Sequence, residues 1–342
     1  MKLGFGLISC QRYPGDPRTD VELYRQALEL SEEAERLGFD SVWTSEHHFQ
    51  DDAYMPSLLP VSAAIAARTS RVEIGTGLVL APFYEAVRLA EDSATVDILS
   101  DGRFVLGLGL GWRDEELEAF RVPSGRRVRL LEDCIATLRQ AWSGGVTTGG
   151  AVVTYPGVAV TPKPPRPGGP PVWIGAHAEP AVRRAGRIAD GFMAGSVPPE
   201  SFGQQVRWAL EEVERRGRDP ETFELSVYVP TFAWPDVDAW ERVRDHYWYM
   251  VWKYEDTEDA HGRTGPALAP PPLTAAQERE LRDAMVIGTP EEVAHGILRF
   301  QEAAGVPIHY IAQLYWPGLD PGVQSEALAF FADEVAPLVR RG

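Results

Sequence analysis

Cysteine is scarce in this chain of 342 residues, and no apolar run approaches the roughly 20 residues that a membrane-spanning helix needs. With only Cys10 and Cys134, a disulfide framework or a cysteine-rich metal site is excluded, and we expect reduced thiols. Positive charge is also scarce, because 33 lysines and arginines stand against 50 aspartates and glutamates, a net charge of −17. Such a surface repels nucleic acid and anionic membranes, so we expect the protein to bind neither. The N-terminus is a short alternating apolar run without a cleavage-site pattern, so we expect a cytoplasmic protein.

Apolar material for a buried core is plentiful, since hydrophobic residues make up 44% of the chain. It is arranged as helical patterns that end at a glycine and are followed by a short apolar strand. The first pattern runs from Leu23 to Leu37, stops at Gly38 and leads into the strand at 39–43. A later one begins with Thr289, which has the spacing of a helix N-cap. This alternation is typical of α/β proteins.

Eight strands are predicted, and helical patterns separate most of them. This count predicts an α/β fold of the (β/α)8 TIM barrel type, although a doubly wound sheet has the same local pattern. Two segments, 144–170 and 235–288, interrupt the alternation, and we interpret them as insertions in the loops after strands 4 and 7. We therefore expect one domain over residues 1–342. The predicted strands lie near residues 2–9, 40–45, 71–78, 103–110, 171–176, 190–195, 223–230 and 308–314.

Two adjacent histidines, His47 and His48, follow the second predicted strand. Reactive groups of a βα barrel lie at the carboxyl ends of its strands, where the loops converge. Since adjacent strand residues point to opposite sides, we expect only one histidine to face the barrel centre, as a proton donor or acceptor. The two should have different roles, and we assign both His47 and His48 as candidate catalytic residues. The alternative is that both histidines orient loops by hydrogen bonding. The nearby Glu46, Asp51 and Asp52 do not form a recognised zinc spacing, so we expect no metal.

A glycine run at 107–111 ends the fourth predicted strand. Its G-x-G-x-G spacing is a poor match to the dinucleotide-binding pattern G-x-G-x-x-G, whose third glycine lies three residues after the second. A slim strand against which a flat ligand can lie is an equally good interpretation, and it makes Gly109 a candidate cofactor contact.

The turn after the fifth predicted strand is a candidate phosphate site. Free N–H groups at a helix start hold phosphate well, and the helix that begins here carries Arg183 and Arg184. An ordinary helix cap is the alternative interpretation. The residues assigned to this site are Gly175, His177, Ala178 and Glu179.

The second insertion is rich in aromatic residues, since six of the chain's 21 tryptophans and tyrosines lie between residues 240 and 254. An aromatic helix over a barrel mouth would shelter an apolar substrate from water. The alternative is that this helix packs on a neighbouring subunit. The residues assigned to the substrate pocket, from this helix and from strand ends, are Cys10, Trp112, Trp248, Trp252 and Trp316.

Four stretches of the chain have a distinctive order and spacing, and together they resemble the bacterial luciferase-like monooxygenase family. The resemblance implies a (β/α)8 barrel, usually a homodimer, that binds reduced FMN from a separate flavin reductase. It also implies reaction with dioxygen to a flavin hydroperoxide, which oxygenates a small organic substrate. The stretches are Glu46-His47-His48-Phe49, Gly75-Thr76-Gly77, Val87-Arg88-Leu89-Ala90-Glu91-Asp92 with Asp97 and 100–104, and Ile287-Gly288-Thr289-Pro290-Glu291-Glu292-Val293.

The resemblance also assigns roles to particular residues. It places His47 near the reacting flavin ring and places Thr76, Gly77 and Leu78 behind that ring, where relatives often have a cis peptide bond. The helix start after strand five becomes the phosphate-binding turn. Leu110 stands where bacterial luciferase has an arginine that helps to hold the phosphate, so phosphate binding depends on that turn.

Two other functions remain open from the sequence. A deazaflavin-dependent oxidoreductase shares this barrel and transfers hydride without oxygen. Many of these relatives have an Asp-His pair where this chain has Glu46 and His47, which favours the FMN branch. The second alternative is a non-catalytic flavin-binding accessory protein.

Overall fold

The computed structural model describes residues 1–235, 239–255 and 266–341. Its centre is a ring of eight parallel strands, in which each strand pairs with the next and the last pairs with the first. The predicted α/β barrel is therefore confirmed, and every strand overlaps its predicted segment. The strands are β1 Lys2–Ile8, β2 Ser41–Thr44, β3 Glu73–Thr76, β4 Phe104–Gly109, β5 Val172–Gly175, β6 Gly191–Ala194, β7 Glu224–Ala233 and β8 His309–Gln313.

Twelve α-helices are formed by the described residues, and their ends follow signals in the sequence. Thr19 and Thr289 each make a capping box, and Gly38 ends the first helix with a φ of 84°. None of these helices is long and apolar enough to cross a membrane. They are α1 Asp20–Leu37, α2 Leu58–Arg68, α3 Ala86–Leu99, α4 Asp114–Ala119, α5 Arg127–Trp142, α6 Glu179–Ile188, α7 Pro199–Arg215, α8 Ala239–Glu255, α9 Ala275–Asp283, α10 Pro290–Ala304, α11 Pro321–Phe330 and α12 Ala336–Arg341.

The two predicted insertions differ in structure. Residues 144–170 contain an antiparallel hairpin between α5 and β5, and Asp133 of α5 accepts hydrogen bonds from its turn. The second insertion contains α8, α9 and a short strand, Val286–Gly288, that lengthens the sheet beside β7. Its residues 236–238 and 256–265 lie outside the described residues. A single domain over the whole chain stays a prediction.

Large side chains fill the amino-terminal end of the barrel interior. Trp43 and Trp173 stack with their ring centroids 4.9 Å apart, and the buried His309 ring packs edge-on against both. Ser41 Oγ lies 2.6 Å from His309 Nε2. At Gly75 a side chain would overlap Trp43, because an added Cβ would lie 2.2 Å from its ring. This end of the barrel is thus closed by packing, and a ligand can enter only from the other end.

Burial lowers the pKa of His309 from 6.5 to about 3, so the folded protein holds this imidazole neutral. Below pH 6.5 the unfolded chain takes up a proton at this position and the folded chain does not, so the fold loses stability as the pH falls. We expect His309 alone to lower the free energy of unfolding by about 2 kcal/mol between pH 7 and pH 5. Denaturant titrations across this range should show a shallower pH dependence for His309→Gln, and equal slopes would contradict the assignment.

Candidate active site

A cavity of about 210 Å³ opens at the carboxyl ends of the barrel strands. Its wall combines side chains from β1, β7, β8, the loops after β2 and β4, and α8. A larger groove of about 700 Å³ lies outside the barrel along α7 and α10, and none of the predicted site residues lines it. The cavity is lined by Leu7, Gln11, His47, Gln50, Tyr54, Arg113, Ser196, Tyr228, Pro230, Tyr247, Met250, Val251, Lys253, Tyr254, Glu255 and Gln313.

His47 is the predicted histidine that faces this cavity. Its Nδ1 lies 3.0 Å from Glu116 Oε1, and the Glu116 side chain is buried in α4. A carboxylate at Nδ1 fixes the ring orientation and the tautomer, because Nδ1 then carries the donated hydrogen. Nε2 is left as the nitrogen that a ligand can reach. Tyr54 and Tyr254 pack edge-on against the ring at centroid distances of 4.9 and 5.4 Å.

His48 points away from the cavity, as the alternation of adjacent side chains predicts. Its Nε2 lies 3.1 Å from Glu46 Oε1, and its ring packs against Phe83 and Phe120. Glu46 also accepts hydrogen bonds from the Tyr84 hydroxyl and the Leu80 amide. His48 thus joins the loops after β2 and β3, and the structure does not bring it to the site where we predicted a catalytic role.

Helix α8 lies over the cavity and is held there by a buried ion pair between Lys253 and Asp51. Beside it, the Tyr249 hydroxyl lies 3.0 Å from Asp52 Oδ2, and Gln11 Nε2 donates to the same oxygen at 2.9 Å. Burial raises the pKa of Asp52, and these hydrogen bonds partly offset that effect. Since α8 lines the cavity, it is placed as the interpretation of an aromatic cover requires.

Two cavity tyrosines carry hydroxyls that stay protonated. Burial raises the pKa of Tyr54 and of Tyr228 above the ordinary value of 10. Tyr54 Oη lies 2.6 Å from Ser45 Oγ. These side chains therefore offer neutral hydrogen-bonding groups rather than charges at neutral pH.

The peptide bond between Gly77 and Leu78 is cis, as the resemblance implies. Leu78 packs in the barrel interior with Leu7 and Tyr228, which line the cavity. The predicted contacts Gly109 and Gly175 face Leu78, and an added Cβ at Gly175 would lie 2.0 Å from its Cδ1. These glycines thus give room to a leucine, and neither lines the cavity. Thr76 is also absent from the wall, since its hydroxyl bonds to the backbone of Gly107.

The predicted phosphate turn lies at the start of α6 and is exposed. Ala178 is the N-cap and makes no side-chain hydrogen bond to the helix, while Glu179 accepts from Arg183 Nε at 2.7 Å. Arg184 pairs with Glu132 on α5. Both arginines that we associated with this turn are therefore directed to carboxylates. His177 and the two residues after it lie outside the cavity wall.

None of the five residues predicted for the substrate pocket lines the cavity. Cys10 is buried in the main core, and its Sγ lies 4.0 Å from the Leu23 carbonyl oxygen. Trp248 and Trp316 lie in a separate apolar cluster behind α8, and Trp248 Nε1 donates to the Pro271 carbonyl. Trp252 is partly buried in the same cluster. Trp112 is 41% exposed at the rim, with its ring 5.1 Å from that of Tyr254.

A family model of the luciferase-like monooxygenases matches residues 3–306. The chain belongs to this family. The resemblance seen in the sequence is therefore confirmed.

Curated relatives of this luciferase-like chain fall into two groups of oxidoreductases. The oxygenase component of the flavin-dependent trigonelline monooxygenase of Acinetobacter baylyi is 32% identical over 179 residues, 51% of this chain and 49% of that protein. The chain thus spans about half the length of that relative. The F420-dependent glucose-6-phosphate dehydrogenase of Microbacterium testaceum is 32% identical over 231 residues, 64% of this chain and 68% of that protein. These names confirm the prediction of an oxidoreductase and leave the coenzyme open.

Solved structures agree with the barrel of this luciferase-like chain. The monooxygenase RslO1 from Streptomyces bottropensis superposes with a TM-score of 0.85 at 21% identity, covering 98% of this chain and 99% of that one. At this identity the likeness shows the fold alone.

The cavity suits the flat ring of a flavin or a deazaflavin. Leu7, Tyr54 and Tyr228 supply apolar and aromatic surface, while His47 and Gln313 supply polar groups from two different strand ends. Its 210 Å³ is below the roughly 300–1,000 Å³ of complete ligand pockets, so only part of the coenzyme can lie within it.

His47 is the one predicted site residue in the cavity wall, and the sequence analysis assigned no role to Arg113 or to Glu116, which holds His47. Glu116 is one of three acids at the start of α4, and nothing in the sequence distinguishes it from Asp114 and Glu115. Arg113 follows the glycine run. It lies three residues after Leu110, the position that we compared with the phosphate-binding arginine of bacterial luciferase. It lines the cavity and is 3% exposed.

Proposed function

We propose that this chain is a flavin-dependent monooxygenase that takes reduced FMN from a separate flavin reductase and uses dioxygen to oxygenate a small organic substrate. The observation that carries this proposal is the imidazole of His47, which lies in the cavity wall with its orientation fixed by the buried Glu116. A reduced flavin held here would supply the electrons with which dioxygen is activated.

The residues of the cavity have separable roles in this proposal. His47 holds or moves a proton at Nε2, since Nδ1 is bound to Glu116. Met250, Val251 and Tyr254 of α8 exclude water from the cavity. Gly77 and Leu78 support the ring from behind through Leu7.

For the phosphate of the coenzyme, we keep the start of α6 as the proposed site. Support comes from its N-cap, Ala178, which has no side-chain acceptor for the Glu179 N–H, the first donor of the helix. Pro180 has no N–H, and the Ala181 N–H donates to the Ala178 carbonyl. Glu179 is turned toward Arg183, which reduces its repulsion of an anion at the turn. His177 would contribute as a neighbour on the same turn.

A deazaflavin-dependent hydride transfer is the second candidate. It is favoured by the F420-dependent glucose-6-phosphate dehydrogenase, which matches more of this chain than the trigonelline enzyme does at the same 32% identity. In this alternative the same histidine would exchange a proton with a substrate hydroxyl or carbonyl.

The two candidates differ in coenzyme and in the use of oxygen. We expect purified protein to quench the fluorescence of FMN more strongly than that of F420 in parallel titrations. With reduced FMN and ¹⁸O-labelled dioxygen, a panel of small organic compounds should yield a labelled product. Binding of F420 alone, with reduction of F420 by a substrate, would establish hydride transfer instead. FMN binding without any substrate-dependent product would identify a non-catalytic flavin-binding protein.

A further inference from the structure

Arg113 is a buried cation in the wall of the cavity without a hydrogen-bond partner at its Nε among the described residues. It follows β4 and is only 3% exposed. Its one specific contact is with the ring of the neighbouring Trp112, whose centroid lies 5.6 Å from the guanidinium carbon.

Two other charged groups at the cavity have partners of their own. Lys253 is paired with Asp51. Glu116 directs Oε1 to His47 Nδ1 and to the backbone N–H of His48, and none of the ion pairs within the described part of the chain joins it to Arg113. Glu255 also lines the cavity, at the exposed end of α8, and no ion pair among the described residues joins a carboxylate to Arg113.

A guanidinium stays charged at every pH at which the protein is folded, so burial cannot be relieved by loss of a proton. Buried polar groups are bonded in nearly all proteins, so a buried guanidinium in a cavity wall is placed to bond to a ligand there. The fork of N–H donors matches two oxygens of one carboxylate or phosphate. An anion is the ligand that completes this arrangement.

The net charge of the whole chain makes a local cation important for the binding of an anion. With a net charge of −17, the protein repels small anions in general. A site that admits an anion therefore needs a local positive group, and Arg113 lies at the same mouth as His47.

We propose that the substrate is a small organic anion whose carboxylate binds to Arg113, with its apolar part against Tyr54, Met250 and Tyr254. This inference rests on the proposed oxidoreductase function and adds the class of substrate to it. The phosphate of FMN has the same oxyanion chemistry, so the experiment must distinguish the two sources.

The test is an equilibrium binding experiment with two pairs of probes, benzoate against benzamide and hexanoate against hexanamide, at fixed ionic strength. In the parent protein we expect at least one anion to bind more tightly than its amide. Arg113→Gln should weaken that anion by about 10- to 100-fold and leave the amide unchanged. Arg113→Lys should recover part of the loss, because it restores the charge without the fork.

Arg129→Gln is the matched control, because Arg129 is exposed on α5 and its loss changes the net charge equally. Circular dichroism and thermal unfolding show whether each variant folds. A third pair of probes, FMN against riboflavin, tests whether Arg113 binds the phosphate of the coenzyme instead. If Arg113→Gln weakens FMN but not riboflavin and leaves the carboxylates unaffected, the cation binds the coenzyme phosphate and the proposal is overturned.

The proposal is also overturned if neither anion is preferred over its amide in the parent protein. Because these titrations need neither oxygen nor turnover, they are independent of whether the chain oxygenates its substrate. Failure of the oxygenase assignment and failure of the anion assignment are therefore distinguishable.

Discussion

Replacing His47 with glutamine is expected to lower the product formed with reduced FMN and dioxygen by about 100-fold or more, while the protein still folds. The reason is that general acid or base catalysis by a positioned side chain contributes roughly 10²–10⁴-fold, and glutamine retains polarity without a titratable nitrogen. The measurement compares product formed with flavin oxidised in single-turnover reactions. We expect flavin oxidation to continue and its coupling to product to fall.

The neighbouring histidine provides the control for this variant. His48→Gln changes the same residue type one position further along, but its side chain contacts Glu46 and Phe120 rather than the cavity. We expect its coupling to stay near that of the parent protein. Unchanged coupling in His47→Gln would remove His47 from the mechanism.

Glu116→Gln tests how His47 is oriented. The amide can still accept a hydrogen bond from Nδ1, but it no longer carries the charge that favours this tautomer. We expect an intermediate loss of coupling, with a shifted pH profile. A loss equal to that of His47→Gln in which the pH profile is unchanged would indicate that Glu116 only supports α4.

The barrel was predictable from the sequence because its signals are local. A helix that ends at Gly38 or begins at Thr289 is encoded within a few residues, and eight repetitions determine the number of strands. Local geometry also predicts that only one of His47 and His48 faces the barrel centre, since adjacent strand residues point to opposite sides. It was the family resemblance that identified this residue as His47.

The contacts that complete the site are not local. Glu116 lies 69 residues from His47 along the chain, and no spacing rule connects a short helix after β4 with the loop after β2. Arg113 is likewise one of many arginines until the fold shows that it is buried at the cavity. Such residues become visible only once the strand order places the two loops side by side.

The residues predicted for the substrate pocket lie away from the cavity wall for a different reason. A position at a strand end does not determine how deeply a side chain is buried. It also does not determine whether the side chain packs in the core or lines the cavity. Cys10 has a φ of 54° and enters the core, and Trp316 packs against Phe232 and Tyr247 in the cluster behind α8. The aromatic residues of 240–254 lie on a helix that lines the cavity. Its tryptophans pack in the apolar cluster, while Met250 and Tyr254 line the cavity.

Lys253→Met is expected to lower the free energy of opening α8 away from the cavity by about 3–5 kcal/mol. This is the usual effect of removing one partner from a buried ion pair. Lys253 is 2% exposed, and the variant leaves the buried Asp51 carboxylate without this ammonium. The measurement is amide hydrogen exchange in α8, with denaturant unfolding for the whole chain. We expect faster exchange in α8 than in the barrel strands.

Arg244→Met is the matched control, because Arg244 lies on the same helix, carries the same charge and pairs with Glu241 at the surface. An exposed pair contributes about 0–1 kcal/mol, so this variant should leave exchange in α8 nearly unchanged. If the two variants behave alike, the Lys253 pair does not hold the helix, and Tyr249 with Asp52 becomes the main contact. If only Lys253→Met opens α8, and flavin oxidation in that variant also yields less product, one ion pair supports two properties. These are the exclusion of water by α8 and the coupling of flavin oxidation to product.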